Sequence, residues 1–209
     1  MKLYLARHGE TDLNVDERFQ GVSDLPLNAS GRAQAAWLAQ ALPAGIECIA
    51  TSPQRRAWQT AEAVAGVRHL PLQSYPEFRE RDFGCFEGLN PDEVAQRYPD
   101  LWARDLAYQW ADAPPGGEST EDVVRRVAAG LLRLHDQHAG RTVLLVSHGF
   151  VVRAVRFLAS GIAREDFFAV PRIGNGEFLE IPALTALQST PHLGELGLSN
   201  PPGAPCPRP

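Results

Sequence analysis

Short apolar runs alternate along this chain with longer segments in which apolar residues recur every three or four positions. The longer pattern is typical of amphipathic helices, and the short runs between turn residues are typical of buried strands. The predicted strands are residues 2–6, 46–51, 69–73, 142–147 and 177–181, and the predicted helices are segments 31–42, 53–66, 120–140 and 150–160. This alternation predicts an α/β fold, a three-layer α/β/α sandwich with a mostly parallel sheet.

The first two helical segments have candidate boundary residues. Ser30 is a possible cap for the first segment, which ends at Pro43. Ser52, followed by Pro53 at the first helical position, predicts the start of the second segment, and Gly66 predicts its end.

The later part of the domain has the clearest boundaries. Ser119 and Asp122 are spaced as in a capping box and predict the start of the third helix. Gly161 predicts the end of the fourth. Between these helices "TVLLVS" is almost continuously apolar, as expected for a central strand covered on both faces.

The alternation is interrupted in two places. Residues 83–117 contain short amphipathic pieces and end near the loop "APPGGES", so we expect an inserted helical cap there. The last 28 residues contain seven prolines and show no clear periodicity, which predicts a weakly ordered tail over 182–209. The folded domain is therefore expected to span residues 1–181.

The composition indicates the class of protein, its compartment and the partners that it is not expected to bind. Apolar residues make up 44% and charged residues 22% of the chain, a globular balance. No apolar run approaches the ~20 residues of a membrane span, so no membrane association is expected. The net charge of −5 disfavours nucleic-acid binding. Cys48, Cys85 and Cys206 have no metal-like spacing, and as reduced thiols they predict a cytoplasmic protein, which we expect to be a monomer or homodimer.

Two predicted strands end in the same pair of residues. The first is followed by Arg7, His8 and Gly9, and the fourth by His148 and Gly149. The carboxyl ends of parallel strands lie in the crevice where α/β proteins bind ligands, so neighbouring strands would bring the two imidazoles together.

An arginine near the start of the second helix adds to this constellation. Helix N-termini attract anions, and Arg56 would add a guanidinium fork. Together with Arg7 and the two histidines it predicts a pocket for a phosphoryl group. A single histidine or arginine is more often structural, and we interpret Arg55, His69, His135 and His138 in that way.

Six ordered blocks of the sequence resemble the histidine phosphatase superfamily, the phosphoglycerate mutase-like proteins. They are "RHGET" with Asn14, "FQGVSDLPLNASGRAQA", "TSPQRRAWQTA", "FRERDFGCFEG", "PPGGES" and "VSHG". The resemblance covers residues 1–181, places the second pocket arginine on Arg56 and places an acidic residue on Glu80. Gln54 and Phe86 depart from the pattern, in which leucine or methionine and tryptophan are usual.

The resemblance implies a phosphohistidine mechanism on His8. One ring nitrogen would attack phosphorus while the other donates to a backbone carbonyl, and arginine charges would keep the ring neutral. Glu80 would protonate the leaving oxygen and then activate water. The residues implied to bind phosphoryl oxygens or to support their binding are Arg7, Thr11, Asn14, Arg56, His148 and Gly149. No metal or cofactor is implied, and the chain lacks the clustered aspartates that hold magnesium.

Three functions are compatible with these residues: a metal-independent phosphomonoester hydrolase, a phosphoglycerate mutase, and a module that binds phosphorylated ligands without turnover. The hydrolase is favoured over the mutase because the mutases have a longer segment after the acidic residue. That segment contains few cations here, of which Arg81 is the one near Glu80 and therefore the candidate for binding a substrate carboxylate. The module is disfavoured because every chemical group is present. The partner is expected to be a small phosphorylated metabolite of unspecified identity.

Overall fold

The computed structural model describes residues 1–181. Its centre is a five-stranded sheet in the order β3-β2-β4-β1-β5. The strands are β1 Lys2–Arg7, β2 Cys48–Thr51, β3 Leu72–Ser74, β4 Thr142–Ser147 and β5 Phe178–Ile181. Neighbouring strands pair in parallel except β5, which is antiparallel to β1. The prediction of a mostly parallel sheet is confirmed, whereas the predicted tail lies outside the described residues.

Helices cover both faces of the sheet and complete the predicted three layers. The helices are α1 Asp12–Val15, α2 Ala29–Ala41, α3 Arg55–Arg68, α4 Pro91–Arg97, α5 Pro99–Ala103, α6 Thr120–Gln137 and α7 Gly149–Ser160. Side chains alternate along β1, so that Leu3 and Leu5 join the core beneath α6 and α7. Tyr4 and Ala6 join the opposite core, which α2 and α3 cover. β1 and β4 are therefore buried on both faces.

Two predicted helix starts are wrong by two residues. The cap of α2 is Asn28, whose side chain accepts the Gly31 N–H at 2.8 Å, and not Ser30. α3 begins at Arg55, because Gln54 has an extended backbone and the Ser52 hydroxyl contacts His148 at 2.8 Å.

The predicted end of α3 is also wrong, and α6 ends at Gln137, three residues before its predicted end. The predicted start of α6 and the predicted end of α7 are confirmed. α3 continues through Gly66 to Arg68 and ends at His69, which takes the left-handed conformation with φ 54°. His69 is therefore a helix cap and does not lie on β3. The capping box of Ser119 and Asp122 is present in α6, and Gly161 ends α7 with φ 64°.

Residues 83–117, where an inserted cap is predicted, lie between β3 and α6 and contain α4, α5 and two short 3-10 helices. Phe86, Val94 and Leu106 form a small buried cluster of their own there. Most cap aromatics pack around this cluster and serve as the core of the cap. Trp110 instead packs on Phe157, with ring centroids 5.6 Å apart, and so attaches the cap to the main core.

The turn after β1 packs directly on the first turn of α2. A Cβ atom on Gly9 would lie 2.3 Å from the Gly31 carbonyl oxygen, and one on Gly31 would lie 2.1 Å from the Glu10 carbonyl oxygen. The Asn28 N–H donates to the same Glu10 carbonyl at 3.0 Å. The backbone on both sides of Gly9 is thus held against a helix, which fixes the segment that carries His8.

This contact predicts opposite effects for two glycine-to-alanine substitutions in helices. Gly31→Ala should lower the free energy of unfolding by about 1–3 kcal/mol, because backbone must move to admit the methyl group. Gly66→Ala, whose added Cβ meets no atom within 4 Å, should raise it by roughly 0.5–1 kcal/mol through helix propensity. Urea denaturation of both variants measures the difference, and stabilisation by Gly31→Ala would contradict the close packing.

Candidate active site

The two histidines that follow β1 and β4 lie side by side. Arg7 is in register with Ser147, and the His8 N–H donates to the Ser147 carbonyl at 2.8 Å. The ring centroids of His8 and His148 are 5.1 Å apart, and the ring planes are inclined by 60°. Both residues are buried, with 3% and 0% of their surface exposed. The predicted juxtaposition of the two imidazoles is present.

The orientation of the His8 ring is fixed by its own turn. Nδ1 lies 2.6 Å from the carbonyl oxygen of Gly9, so Nδ1 carries the proton and Nε2 has a free lone pair. Burial lowers the pKa of His8 well below its usual value, and the Arg56 and Arg7 charges lower it further. At neutral pH His8 is therefore an uncharged base with one available nitrogen.

His148 is held by the residue that follows β2. Its Nε2 is 2.8 Å from Ser52 Oγ, which also accepts the Gln54 N–H at 3.3 Å. The Ser52 hydroxyl proton is thus free to be donated to Nε2, which leaves the ring proton on Nδ1. No described residue accepts a hydrogen bond from that buried atom. Burial and the Arg56 charge hold the pKa of His148 well below its usual value.

A cavity of roughly 510 Å³ opens beside His8. Of the predicted site residues, five line it: Arg7, His8, Asn14, Glu80 and Gly149. The Arg7 guanidinium donates through Nη1 to the Ile173 carbonyl at 3.0 Å, and its buried Nε has no partner among the described residues. Burial lowers the pKa of Arg7, although the Glu80 carboxylate acts in the opposite direction.

Arg56 and His148 adjoin His8 but are not among the residues that line the cavity. Arg56 is fully buried and donates to the carbonyls of Ser23 at 2.7 Å and Gly21 at 3.0 Å. Its Nε has no partner within the described part of the chain. The guanidinium therefore holds the loop between α1 and α2 through its Nη atoms and has Nε as a further donor.

Glu80 is positioned by backbone on both sides of the cavity. Its carboxylate accepts the Arg81 N–H at 2.9 Å and the Phe150 N–H at 3.1 Å, where Phe150 lies in the first turn of α7. Its own N–H donates to Gln54 Oε1 at 2.7 Å, and its carbonyl accepts from Arg126 at 3.1 Å. Gln54 is one of the two departures from the family pattern, and its Nε2 donates to Gly21.

Asn14 and Thr11 act through hydrogen bonds around the cavity. Asn14 Oδ1 accepts from the Thr11 N–H at 3.2 Å and from Asn175 Nδ2 at 3.0 Å. Thr11 is buried and does not line the cavity; its hydroxyl donates to Gln20 Oε1 at 2.8 Å. Thr11 thus supports the loop between α1 and α2, which contains Gln20. Gln20 does line the cavity, and its buried Nε2 has no partner among the described residues.

Several cavity residues were missed in the sequence, namely Arg18, Gln20, Arg153, Arg172 and Asn175. Asn175 belongs to the loop before β5 and donates to the His8 carbonyl at 3.1 Å. Because β5 is antiparallel to β1, its starting end lies at the carboxyl edge of β1. The signal that could have revealed this loop was therefore the direction of the last strand.

Arg81 does not serve the role expected of it. Its guanidinium is buried and donates to the carbonyls of Glu118 at 2.9 Å, Ala107 at 2.6 Å and Leu106 at 3.2 Å. Burial lowers its pKa to about 10, against the effect of the neighbouring Glu80. The expectation that Arg81 could bind a substrate carboxylate is wrong, because it joins the cap to the body of the domain and does not line the cavity.

The comparison with known proteins identifies the family. The model of the histidine phosphatase superfamily (branch 1) matches residues 3–181. The chain belongs to this superfamily. This membership confirms the expected fold and the expectation that the protein is an enzyme, a histidine phosphatase.

The similar proteins of the histidine phosphatase superfamily include two that are named as phosphatases and one that is named as a probable phosphoglycerate mutase. The uncharacterized phosphatase PhoE of Bacillus subtilis is 35% identical over 158 residues, 75% of this chain and 76% of the relative. A probable phosphoglycerate mutase GpmB of Cronobacter sakazakii is 32% identical over 213 residues, 94% and 99% of the two chains. The native structure of mycobacterial glucosyl-3-phosphoglycerate phosphatase Rv2419c has a TM-score of 0.78 and 28% identity, over 86% and 88% of the chains.

Within residues 1–181 no group of three or more His, Cys, Asp or Glu side chains is placed to hold a metal ion. Over the same residues no helix is long and apolar enough to cross a membrane.

The lowered pKa values of the two histidines predict a loss of stability in mild acid. The unfolded chain binds protons at these rings near pH 6.5 and the folded chain does not, so stability is present above that pH and decreases below it. Between pH 7.5 and 5.5 each ring should lower the free energy of unfolding by roughly 1 kcal/mol.

Urea denaturation of His148→Asn at both pH values tests this linkage. The variant should lose roughly 1 kcal/mol less than the wild type. His69→Asn is the matched control, since His69 is exposed and asparagine accepts its left-handed backbone. An equal loss in the wild type and His148→Asn would contradict the linkage.

Proposed function

We propose that this protein is a metal-independent phosphomonoester hydrolase that works through a phosphohistidine on His8. The observation that carries the proposal is a set of buried donors without acceptors. Arg7 Nε, Gln20 Nε2, Arg56 Nε and His148 Nδ1 are buried and have no hydrogen-bond partner among the described residues. All four belong to the site around His8, and a buried donor without a partner costs roughly 1–3 kcal/mol. A phosphoryl group, with its anionic oxygens, supplies the missing acceptors.

The first step transfers the phosphoryl group to the enzyme. His8 Nε2 attacks phosphorus, a P–N bond forms and the P–O bond to the leaving group breaks. Glu80, which lines the same cavity, gives a proton to the departing oxygen, so that an alcohol leaves. The Gly9 carbonyl oxygen accepts a hydrogen bond from Nδ1–H in both steps and stabilises the positive charge that the ring acquires.

The second step returns His8 to its starting state. Water attacks phosphorus, the P–N bond breaks, and Glu80 takes the proton of the water. Inorganic phosphate leaves and the ring is again neutral. The buried donors contact the phosphoryl oxygens in both steps, where the transferring group carries its negative charge.

The second candidate is a phosphoglycerate mutase, because a relative of nearly equal length bears that name. In that case a second hydroxyl of the substrate accepts the phosphoryl group in place of water. The short cap supports hydrolysis, since a mutase must exclude water from the intermediate. A comparison of phosphate release with isomer formation from phosphoglycerate separates the two functions, and a purely binding module would give neither.

The nucleophile can be tested by trapping the intermediate. With a chelator present, the wild type should release phosphate from p-nitrophenyl phosphate and accumulate protein-bound phosphate that is labile in acid and stable in base. His8→Ala should lower kcat by at least about a thousandfold and give no bound phosphate. His135→Ala, a substitution on the surface of α6, is the control. Activity that disappears with the chelator, or bound phosphate in His8→Ala, would overturn the proposal.

The role of Glu80 predicts a dependence on the leaving group. Glu80→Gln should lower the rate of phosphorylation of His8 by about 10²–10⁴ with an alkyl phosphate, whose alkoxide must be protonated. The loss should be much smaller with p-nitrophenyl phosphate, since nitrophenolate leaves without a proton. Dephosphorylation should then be slow and reveal a burst of nitrophenolate. Glu121→Gln is the control, and equal losses with both substrates would exclude Glu80 as the acid.

A further inference from the structure

The wall of the cavity contains two arginines that the proposed phosphoryl transfer does not use. Arg153 lies on α7, and Arg172 lies in the segment that leads to β5. Within residues 1–181 no carboxylate forms an ion pair with either of them at 4.0 Å or less. Arg18, which also lines the cavity, is different: Glu93 holds its guanidinium at 3.0 Å. Arg153 and Arg172 are thus the lining arginines, besides Arg7, with no acidic partner in this part of the chain.

The Arg153 side chain is buried in the wall of the cavity and is held there by its neighbours. It is 7% exposed, and its Nε donates to the Val170 carbonyl at 3.3 Å. Its guanidinium carbon lies 5.6 Å from the ring centroid of Phe168 and 6.0 Å from that of Phe167. These contacts fix the plane of the guanidinium, while its two Nη atoms have no partner among the described residues.

The backbone that carries Arg172 is held from three sides. Arg153 donates to the carbonyl of Val170, Arg156 to that of Pro171, and Arg7 to that of Ile173 at 3.0 Å. Arg172 therefore projects from an anchored segment between the phosphoryl end of the cavity and Arg153. Its own side chain is exposed and lines the cavity.

The guanidinium group of Arg172 repels those of Arg7 and Arg153. Burial lowers the pKa values of Arg7 and Arg153, and the charge of Arg172 lowers both further. The phosphoryl group offsets the charge of Arg7 in the proposed reaction. The Glu80 carboxylate acts on Arg153 without forming an ion pair with it, so within residues 1–181 neither of the other two cations has a directly paired anion. A second anion between them would supply one.

We propose that Arg153 and Arg172 form a second anion site in the cavity, so that the substrate is a small phosphomonoester with a second anionic group. This inference rests on the proposed function, since the phosphoryl group occupies the His8 end. The second group is a carboxylate or another phosphate, both of which match a guanidinium fork. The cavity of roughly 510 Å³ suits a short molecule that carries both groups.

Two pairs of substrates isolate the second anionic group. 3-Phosphoglycerate differs from glycerol 3-phosphate by a carboxylate in place of a hydroxymethyl group. Propane-1,3-diol bisphosphate differs from propyl phosphate by a second phosphate. The wild type should prefer the more anionic member of at least one pair by about ten- to a hundredfold in kcat/KM, chiefly through KM. The pair that shows the preference identifies the kind of anion.

Arg153→Met and Arg172→Ala should each lower this preference about tenfold. The readout is the ratio of kcat/KM within a pair, so a general loss of activity cancels. Because Arg153 is buried, circular dichroism and thermal melting must first show that its variant is folded. Arg172 is exposed and its variant tests the site independently. Arg125→Ala, on the outer surface of α6, removes an equal charge elsewhere and should leave the ratio unchanged.

The outcomes separate this inference from the proposed function. Hydrolysis of p-nitrophenyl phosphate without any preference in either pair would overturn the second anion site and leave the hydrolase intact. A preference that persists in both Arg153→Met and Arg172→Ala would also overturn it. If no monoester is hydrolysed, the same pairs are measured by calorimetry with His8→Ala. A Kd ratio near one would then reject the site, and a ratio lost in Arg172→Ala would support it.

Discussion

The parallel pairing of β1 with β4 is the constraint on which the rest of the site depends. Residues 7 and 147 lie opposite one another, so the residue after each strand is a histidine at the same edge of the sheet. Both strands are buried on both faces, and a shift of one position would exchange their two apolar faces. The energy that fixes the register of the sheet therefore also fixes the 5.1 Å separation of the two rings.

Burial sets the charge state of the site histidines and leaves site donors without partners, which lowers the stability of the fold. His8 and His148 are buried, and this burial lowers their pKa values and keeps both imidazoles neutral beside cations. N–H groups of Arg7, Arg56 and His148 are buried in the same way and have no acceptor inside the described part of the protein. In the function that we propose, these donors stabilise the entering anion because they are already oriented and desolvated.

Segments remote in the sequence are joined at the acidic residue of the site. Arg126 on α6 donates to the carbonyls of Glu77, Arg79 and Glu80, and it pairs with Glu118 at 2.9 Å. Gln54 at the start of α3 joins the Glu80 N–H to the Gly21 carbonyl. The position of one carboxylate thus depends on the cap, on two helices and on the loop that Arg56 holds. This explains how a residue in an irregular segment can have a defined position.

Sequence periodicity predicted the strands, the layers and the two histidines at neighbouring strand ends. A strand buried on both faces has a recognisable local sequence pattern, and the chain direction shows which end of a strand each histidine follows. The periodicity misplaced the start of α2 and both ends of α3, where Asn28, Gln54 and His69 decide the boundary through hydrogen bonds and backbone conformation. The family resemblance added Glu80 and Arg56.

The sequence by itself determined the fold class and the residues that meet at the edge of the sheet. Only the tertiary structure decided that the Arg81 guanidinium donates hydrogen bonds to backbone carbonyl groups, whereas Arg153 and Arg172 line the cavity. It also decided that Gln20 and Asn175 lie in the site. The physical reason is that an arginine or amide side chain has the same local pattern whether its partner is a carbonyl, a carboxylate or a ligand. That choice depends on segments brought together by packing, here above all by the antiparallel direction of β5.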